Sequence, residues 1–209
     1  KLGKIVIMLD DHDRENEGDF VMAADFVTPE SINFMALYGR GLICTPISRE
    51  LAERLSLTPM VDKNSATHET AFTVTIDAKE NISTGISSSD RSHTIKLMLE
   101  KNATEKDFAR PGHIFPLIAK DVGVVKRRGH TEAAVDLATL CGLNPAGVIC
   151  EILKEDGNLA KGSELFEIAN RFNLKIGTIA DLVDYINSTL DVNNVQVEKI
   201  STAKFPNKY

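Results

Sequence analysis

An α+β fold, a single mixed sheet flanked by helices, is what this sequence predicts, and three observations carry the prediction. Short apolar runs of strand character alternate with segments whose apolar residues recur at helical spacing. A length of 209 residues with 43% hydrophobic residues suits one sizeable core. No internal repeat or low-complexity tract divides the chain into smaller units.

The elements follow in order. Ile5, Val6, Ile7, Met8 and Leu9 make a first strand, and Phe20, Val21, Met22, Ala23 and Ala24 a second. Thr28 before Pro29 is an N-cap followed by proline in the first turn, so a helix runs to about Tyr38 and stops before Gly39. Residues 41–46 read as a strand carrying Cys44, and Ser48 opens a short helix with Leu51, Ala52 and Leu55. Alternation over 71–77 gives a half-buried strand, and Asp90 caps a helix to about Lys101. His113 falls between a Pro111-Gly112 turn and a strand bounded by Pro116. Residues 122–125 read as a strand and 134–140 as a helix ended by Gly142. Residues 146–153 make a buried strand, Ser163 opens a helix, 175–178 return as a strand and 179–186 as a helix. The polar stretches 63–69 and 101–107 are surface loops placed to act as lids.

Two loops carry the chemistry. The run from Asp10 to Asp19 packs six carboxylates and Arg14 into ten residues between two strands. Carboxylates crowded this way repel one another and are relieved by a divalent cation, typically Mg²⁺. The run Lys126-Arg127-Arg128-Gly129-His130-Thr131 links an apolar segment to a helix start. Free N–H groups at a helix N-terminus, with arginine and threonine donors beside them, make a phosphate seat, and His130 can ligate a metal. His113 in its rigid setting suits a fixed acid/base. Glu151, a carboxylate within an apolar strand, is a further site candidate, with Cys150 and Ile152 on the opposite face.

In order, Asp13-Arg14-Glu15-Asn16-Glu17-Gly18-Asp19, Thr84-Gly85-Ile86-Ser87 with Asp90-Arg91, Pro111-Gly112-His113-Ile114-Phe115-Pro116-Leu117, Arg128-Gly129-His130-Thr131-Glu132-Ala133 and Val148-Ile149-Cys150-Glu151 resemble the 3,4-dihydroxy-2-butanone 4-phosphate synthases. The resemblance runs from about Lys4 to about Ile186. It implies conversion of ribulose 5-phosphate to formate and a four-carbon ketone phosphate, with Mg²⁺ or Mn²⁺ and no organic cofactor. By position it implies Glu15 and His130 as metal ligands, and Arg14, Asp19 and Thr94 on the sugar. Arg127, Arg128, Gly129, His130 and Thr131 would surround the phosphate, and His113 and Glu151 would transfer protons. It further implies a homodimer and a synthase domain over 1–190; residues 191–209 fall outside the match and resemble a tail or linker towards a GTP cyclohydrolase II domain, while composition and unpaired cysteines lead to the expectation of a cytoplasmic enzyme. His12 stands where the family has an acid; it is not a residue assigned to the metal, so activity is expected to survive the change.

Other readings fare less well. A calcium loop counted from Asp13 places Gly18 correctly but puts Ala24 at position 12; counted from Asp11 it puts Asn16 at position 6. No phosphate-binding Gly-x-x-x-x-Gly-Lys loop occurs. A metal-dependent sugar-phosphate isomerase or aldolase would use similar residues and is separated by formate release. A net charge of −6 argues against nucleic-acid partners, and no apolar run approaches the roughly 20 residues of a membrane span. Three cysteines without close spacing suggest reduced thiols, Cys44 being read as a buried structural one.

Overall fold

The computed structural model describes residues 3–189; the expected tail over 191–209 lies outside the described residues. Among the described residues seven strands form one mixed sheet in the order β4-β5-β3-β6-β2-β1-β7. They are β1 (Val6–Leu9), β2 (Gly18–Ala23), β3 (Cys44–Ile47), β4 (Ile76–Ala78), β5 (Phe108–Ile118), β6 (Gly147–Glu151) and β7 (Lys175–Thr178). Pairs β1/β7 and β3/β5 are parallel and the other neighbours antiparallel. The helices are α1 (Pro29–Phe34), α2 (Arg49–Arg54), α3 (Ser88–Leu99), α4 (His130–Leu140), α5 (Ser163–Phe172) and α6 (179–189). The predicted α+β class is what forms.

Period-2 alternation splits the strands between two cores. Ile7, Phe20, Met22, Cys150 and Ile152 face a layer with α1 residue Ile32 and α3 residues Ile95 and Met98. Met8, Val21, Cys44, Leu117 and Ile149 face Ala133 and Ala134 of α4 and Ile179, Leu182 and Val183 of α6. Asp19 shares parity with Val21, and Glu151 with Ile149, so both carboxylates lie on the α4 side. Asp19 and Glu151 are cross-strand partners.

Capping follows sequence in two helices and departs from it in a third. Thr28 and Ser31 form a reciprocal capping box on α1, which continues as a π-helical turn over Met35–Gly39. Ser48 caps α2. Helix α3 is capped by Ser87 rather than by Asp90, because the Asp90 carboxylate turns back to accept from the Ser83 hydroxyl at 2.7 Å and the Gly85 N–H at 3.0 Å. Those bonds, the Ser83 hydroxyl first, hold the Asp90 carboxyl down at about 2. An acid depressed on folding stabilises above its unfolded pKa of roughly 4 and loses that contribution as pH falls to about 2. Asp90→Asn is therefore expected to flatten the acid limb of stability between these values; an unchanged limb by acid titration of circular dichroism would remove the assignment.

Two predicted strands are corrected. Residues 122–125 contain a 3-10 turn (Gly123–Val125): Gly123 takes φ +63, and Asp136 of α4 captures the Val124 N–H at 2.8 Å, which bends the backbone out of an extended path. Over 71–77 only Ile76 and Asp77 enter a strand, while Phe72 and Thr73 make isolated bridges. The facing Pro116 has no N–H to continue a ladder. Pro111-Gly112 is likewise not a turn but lies inside the eleven-residue β5, where the β4 register shifts.

Candidate active site

The loop joining β1 to β2, the end of β6 and the start of α4 meet at one end of the sheet around a cavity of about 190 Å³. Of the residues expected at a site, Arg14, Glu15, Asp19, Arg127, His130, Thr131 and Glu151 line it. Glu17, Cys44, Thr70 and Phe72 line it as well. Gly129, the N-cap of α4, and Arg128, half-exposed and 3.3 Å from Asp11, do not line it.

Asp10 builds the acidic loop. Its carboxylate, with no exposed side-chain surface, accepts from Glu17 N–H at 2.8 Å, Glu15 N–H at 3.2 Å and the Arg14 guanidinium at 2.9 Å. Arg14 also bonds Glu15. The loop is thereby folded over an internal anion, which turns Glu15 and Glu17 into the cavity. His12 sits in an exposed turn of this loop and does not line the cavity.

His130 enters from the first residue of α4. Its Nε2 lies 3.1 Å from the Met8 carbonyl, a pure acceptor, so Nε2 donates and Nδ1 is left facing Asp19 Oδ1 at 3.7 Å. Burial pushes the imidazole pKa down and keeps the ring neutral. Burial, and then the charges of Glu151 and Glu17, push Asp19 well above the usual carboxylate range. Burial and Glu15 also raise Glu17. Among the described residues Asp19 Oδ1 is buried without a hydrogen-bond partner. An unsatisfied carboxylate oxygen, a ring nitrogen with a free lone pair and repelling acids make an arrangement that a cation could relieve.

Ligand atoms of Asp10, Glu15 and His130 lie within 4.8 Å of one another. Asp10 already accepts three hydrogen bonds, which leaves Glu15 and His130 as the donors with free valence towards the cavity. The Met8 carbonyl fixing the far nitrogen of His130 is the usual outer partner of a metal-bound imidazole.

The basic turn supplies the opposite charge. Gly129 caps α4 without a side-chain hydrogen bond, so the first amides of the helix are not consumed by a cap. Arg127 pairs with Glu132 and donates to the His68 carbonyl at 3.0 Å, tying the end of the segment 63–70 to the cavity, where Thr70 lines the wall and His68 lies 3.7 Å from Glu15. Glu151 closes the other wall, with Oε2 accepting from the Leu42 N–H at 2.8 Å. Cys44 is buried here, and burial followed by the Glu151 and Asp19 charges pushes its thiol far up, so it is no thiolate nucleophile.

Besides Arg128 and Gly129, which adjoin lining residues in sequence, two further expected residues do not line this cavity. Thr94 is fully buried on α3 in the layer across the sheet, where its hydroxyl accepts from the Ala78 N–H at 3.0 Å. His113 lies four residues along β5 from the cavity-lining Leu117, about 13 Å at strand rise. Its ring contacts Asp77 instead. Thr84 is exposed beside Gly85, next to that pair. Glu17, Asp10 and Asp77 were not singled out from sequence; only their place in the run of carboxylates pointed to the first two.

Carboxylates, an imidazole and a helix start capped by glycine alone surround one polar cavity, an enzyme-like arrangement whose donor set suits a divalent cation and whose helix end suits an anion. Sequence comparison places it more closely. The chain belongs to the 3,4-dihydroxy-2-butanone 4-phosphate synthase family, whose profile matches residues 1–185. It is 57% identical over 198 residues to the riboflavin biosynthesis protein RibBA of Bacillus velezensis, covering 95% of this chain and 50% of that protein. It is 60% identical over 185 residues to RibBA of Bacillus subtilis, covering 88% and 46%. The chain thus spans about half the length of these curated relatives. Among solved structures, a two-domain 3,4-dihydroxy-2-butanone 4-phosphate synthase from A. baumannii superposes with TM-score 0.84 at 52% identity, covering 88% of this chain and 54% of that one. A synthase in complex with two magnesium ions superposes with TM-score 0.85 at 40% identity, covering 90% and 92%. Among the described residues, no helix is long and apolar enough to cross a membrane.

Proposed function

We propose that this chain converts D-ribulose 5-phosphate to 3,4-dihydroxy-2-butanone 4-phosphate and formate, supplying a four-carbon unit for riboflavin. The observation that carries the reading is the convergence of Glu15, Glu17, Asp19, His130 and Glu151 on one cavity whose far wall is the α4 N-terminus. Atoms balance: water lost in a dehydration step returns when the departing carbon is hydrated and leaves as formate.

Glu15 and His130 would hold Mg²⁺ or Mn²⁺, which when bound supplies Lewis-acid stabilisation of negative charge on substrate oxygens. Arg127, Arg128, Thr131 and the first-turn amides from His130 onward bind the phosphate, the Gly129 N–H being spent on the Arg127 carbonyl at 2.8 Å. Binding energy remote from the reacting carbons then orients a flexible open chain. Arg14 and Asp19 position the sugar hydroxyls. Glu151, held by the Leu42 amide, takes and returns protons at the substrate carbons and hydroxyls. The segment 63–70, tied to Arg127, excludes water from the intermediates. His113, outside the cavity of its own protomer, serves that of a second copy, so the active unit is a homodimer with composite sites. The test is formate release from ribulose 5-phosphate with Mg²⁺ against an EDTA control. A changed pentose phosphate without formate would give the site to an isomerase or aldolase.

Arg127→Ala is expected to raise KM for the sugar phosphate at least about tenfold, in line with a lost charge-assisted phosphate contact worth roughly 1.5–3 kcal/mol. It also strands Glu132, whose side chain is 1% exposed, and lowers stability by about 3 kcal/mol. Adding Glu132→Gln should recover the stability and leave KM high. Recovery of both by the double variant would show that Arg127 acts only as a strut.

A further inference from the structure

His113 is held more firmly than a half-exposed histidine requires. Its N–H donates to Asp77 Oδ1 at 2.8 Å, and its Nδ1 lies 2.6 Å from Asp77 Oδ2. A carboxylate only accepts, so Nδ1 carries the ring proton and Nε2 keeps its lone pair. The Asp77 side chain is 10% exposed and the imidazole 43%, so the orienting group is inside and the working edge outside.

The surroundings are shaped for this pair. Gly85 adopts φ +94, and a Cβ there would overlap Asp77 Oδ2 and stand 2.6 Å from His113 Nδ1. Its N–H is spent on Asp90, which also takes the Ser83 hydroxyl, so the loop pressing on the pair is itself fixed. From the other side the Gly112 N–H donates to Thr75 Oγ1 at 3.0 Å, and a Cβ at Gly112 would overlap the backbone of Ile76 and Asp77. A staple between β4 and β5 would need only the backbone bond to Oδ1. The second bond, donated by the ring Nδ1–H to the carboxylate, sets the tautomer.

We propose that Asp77 is the positioning residue of His113, fixing the Nδ1–H tautomer and the ring plane so that the exposed Nε2 is the proton acceptor. This rests on the assignment of His113 to proton transfer made above. In the step, a proton leaves a substrate C–H or O–H for Nε2 and its electron pair stays on the substrate. The imidazolium is paired with Asp77 until Nε2 returns the proton, and the ring ends as it began.

The experiment is ¹⁵N NMR of histidine-labelled, Mg²⁺-loaded full chain, with His113→Gln used to assign the resonance among five histidines. The expected parent signal is an unprotonated Nε2. Asp77→Asn keeps the bond to the His113 N–H but presents an amide donor to Nδ1. It is expected to swap the tautomer and lower kcat about 10²-fold or more, with KM within about threefold. A protonated Nε2 in the parent overturns the proposal, as does an unchanged kcat, or a lost kcat with the tautomer retained. Should Asp77→Asn fail to fold, the parent tautomer decides. That measurement needs no substrate, so a parent that releases no formate sinks the proposed function while the lock is still judged.

Discussion

Formate release is expected to fall at least about 10³-fold in Glu15→Gln and in His130→Ala, because each removes a donor to a cation asked to supply several kcal/mol of charge stabilisation. The two variants fail for the same reason but differ in collateral cost. Glu15→Gln retains a side-chain oxygen for the bond that Glu15 makes to Arg14, so its loop should stay folded around Asp10. His130→Ala leaves the Met8 carbonyl without its partner, at roughly 1–3 kcal/mol. A second readout separates lost ligation from lost stability. Mg²⁺ binding only the folded parent raises its Tm with concentration, and both variants should lose that dependence. Unchanged turnover, or an unchanged Mg²⁺-dependent rise, would remove Glu15 and His130 as ligands.

Much of this was legible because the informative chemistry is local in sequence. The β1–β2 loop concentrates carboxylates between two strands, and the α4 start concentrates arginines around Gly129, so each announces itself without the fold. Strand parity then placed Cys150 and Ile152 away from Glu151, as the two cores confirm. What stayed hidden depends on pairing across distance. Asp77 and His113 are separated by 36 residues with no spacing rule to join them, and their contact arises from an irregular β4–β5 register. Asp10 is chemically identical to Asp11 and Asp13; only burial and three hydrogen bonds reveal it as the loop's internal anion. The 122–125 turn looked extended by composition and was bent by a carboxylate arriving from α4. Thr94 has the right chemistry for a substrate hydroxyl, but α3 packs on the far side of the sheet and commits it to Ala78.

Mixing two inactive variants should restore activity if the site is shared between copies. Glu151→Gln is expected to lower kcat by about 10²- to 10⁴-fold, the range for losing a positioned proton-transfer group. The amide oxygen it introduces can still accept from the Leu42 N–H, so the strand end keeps its shape. His113→Gln should lose activity by the same range while its own cavity stays intact, because His113 does not line it. In a two-fold dimer each site would draw Glu151 from one protomer and His113 from the other. After denaturation and joint refolding, random pairing makes half the dimers heterodimers, each with one complete site and one doubly damaged site. Activity should therefore recover to about a quarter of the parent value. Were both residues supplied by the same protomer, no combination would contain a complete site and mixing would restore nothing. His113 does not line its own cavity and stands four residues, about 13 Å of strand, from the lining Leu117; this makes the first outcome the expected one, since a proton acceptor must come within hydrogen-bond reach, roughly 3 Å, of the atom it serves. Recovery would also give Asp77 its context: a ring that meets substrate across an interface cannot be oriented by the cavity it serves, and has to arrive already locked by its own chain.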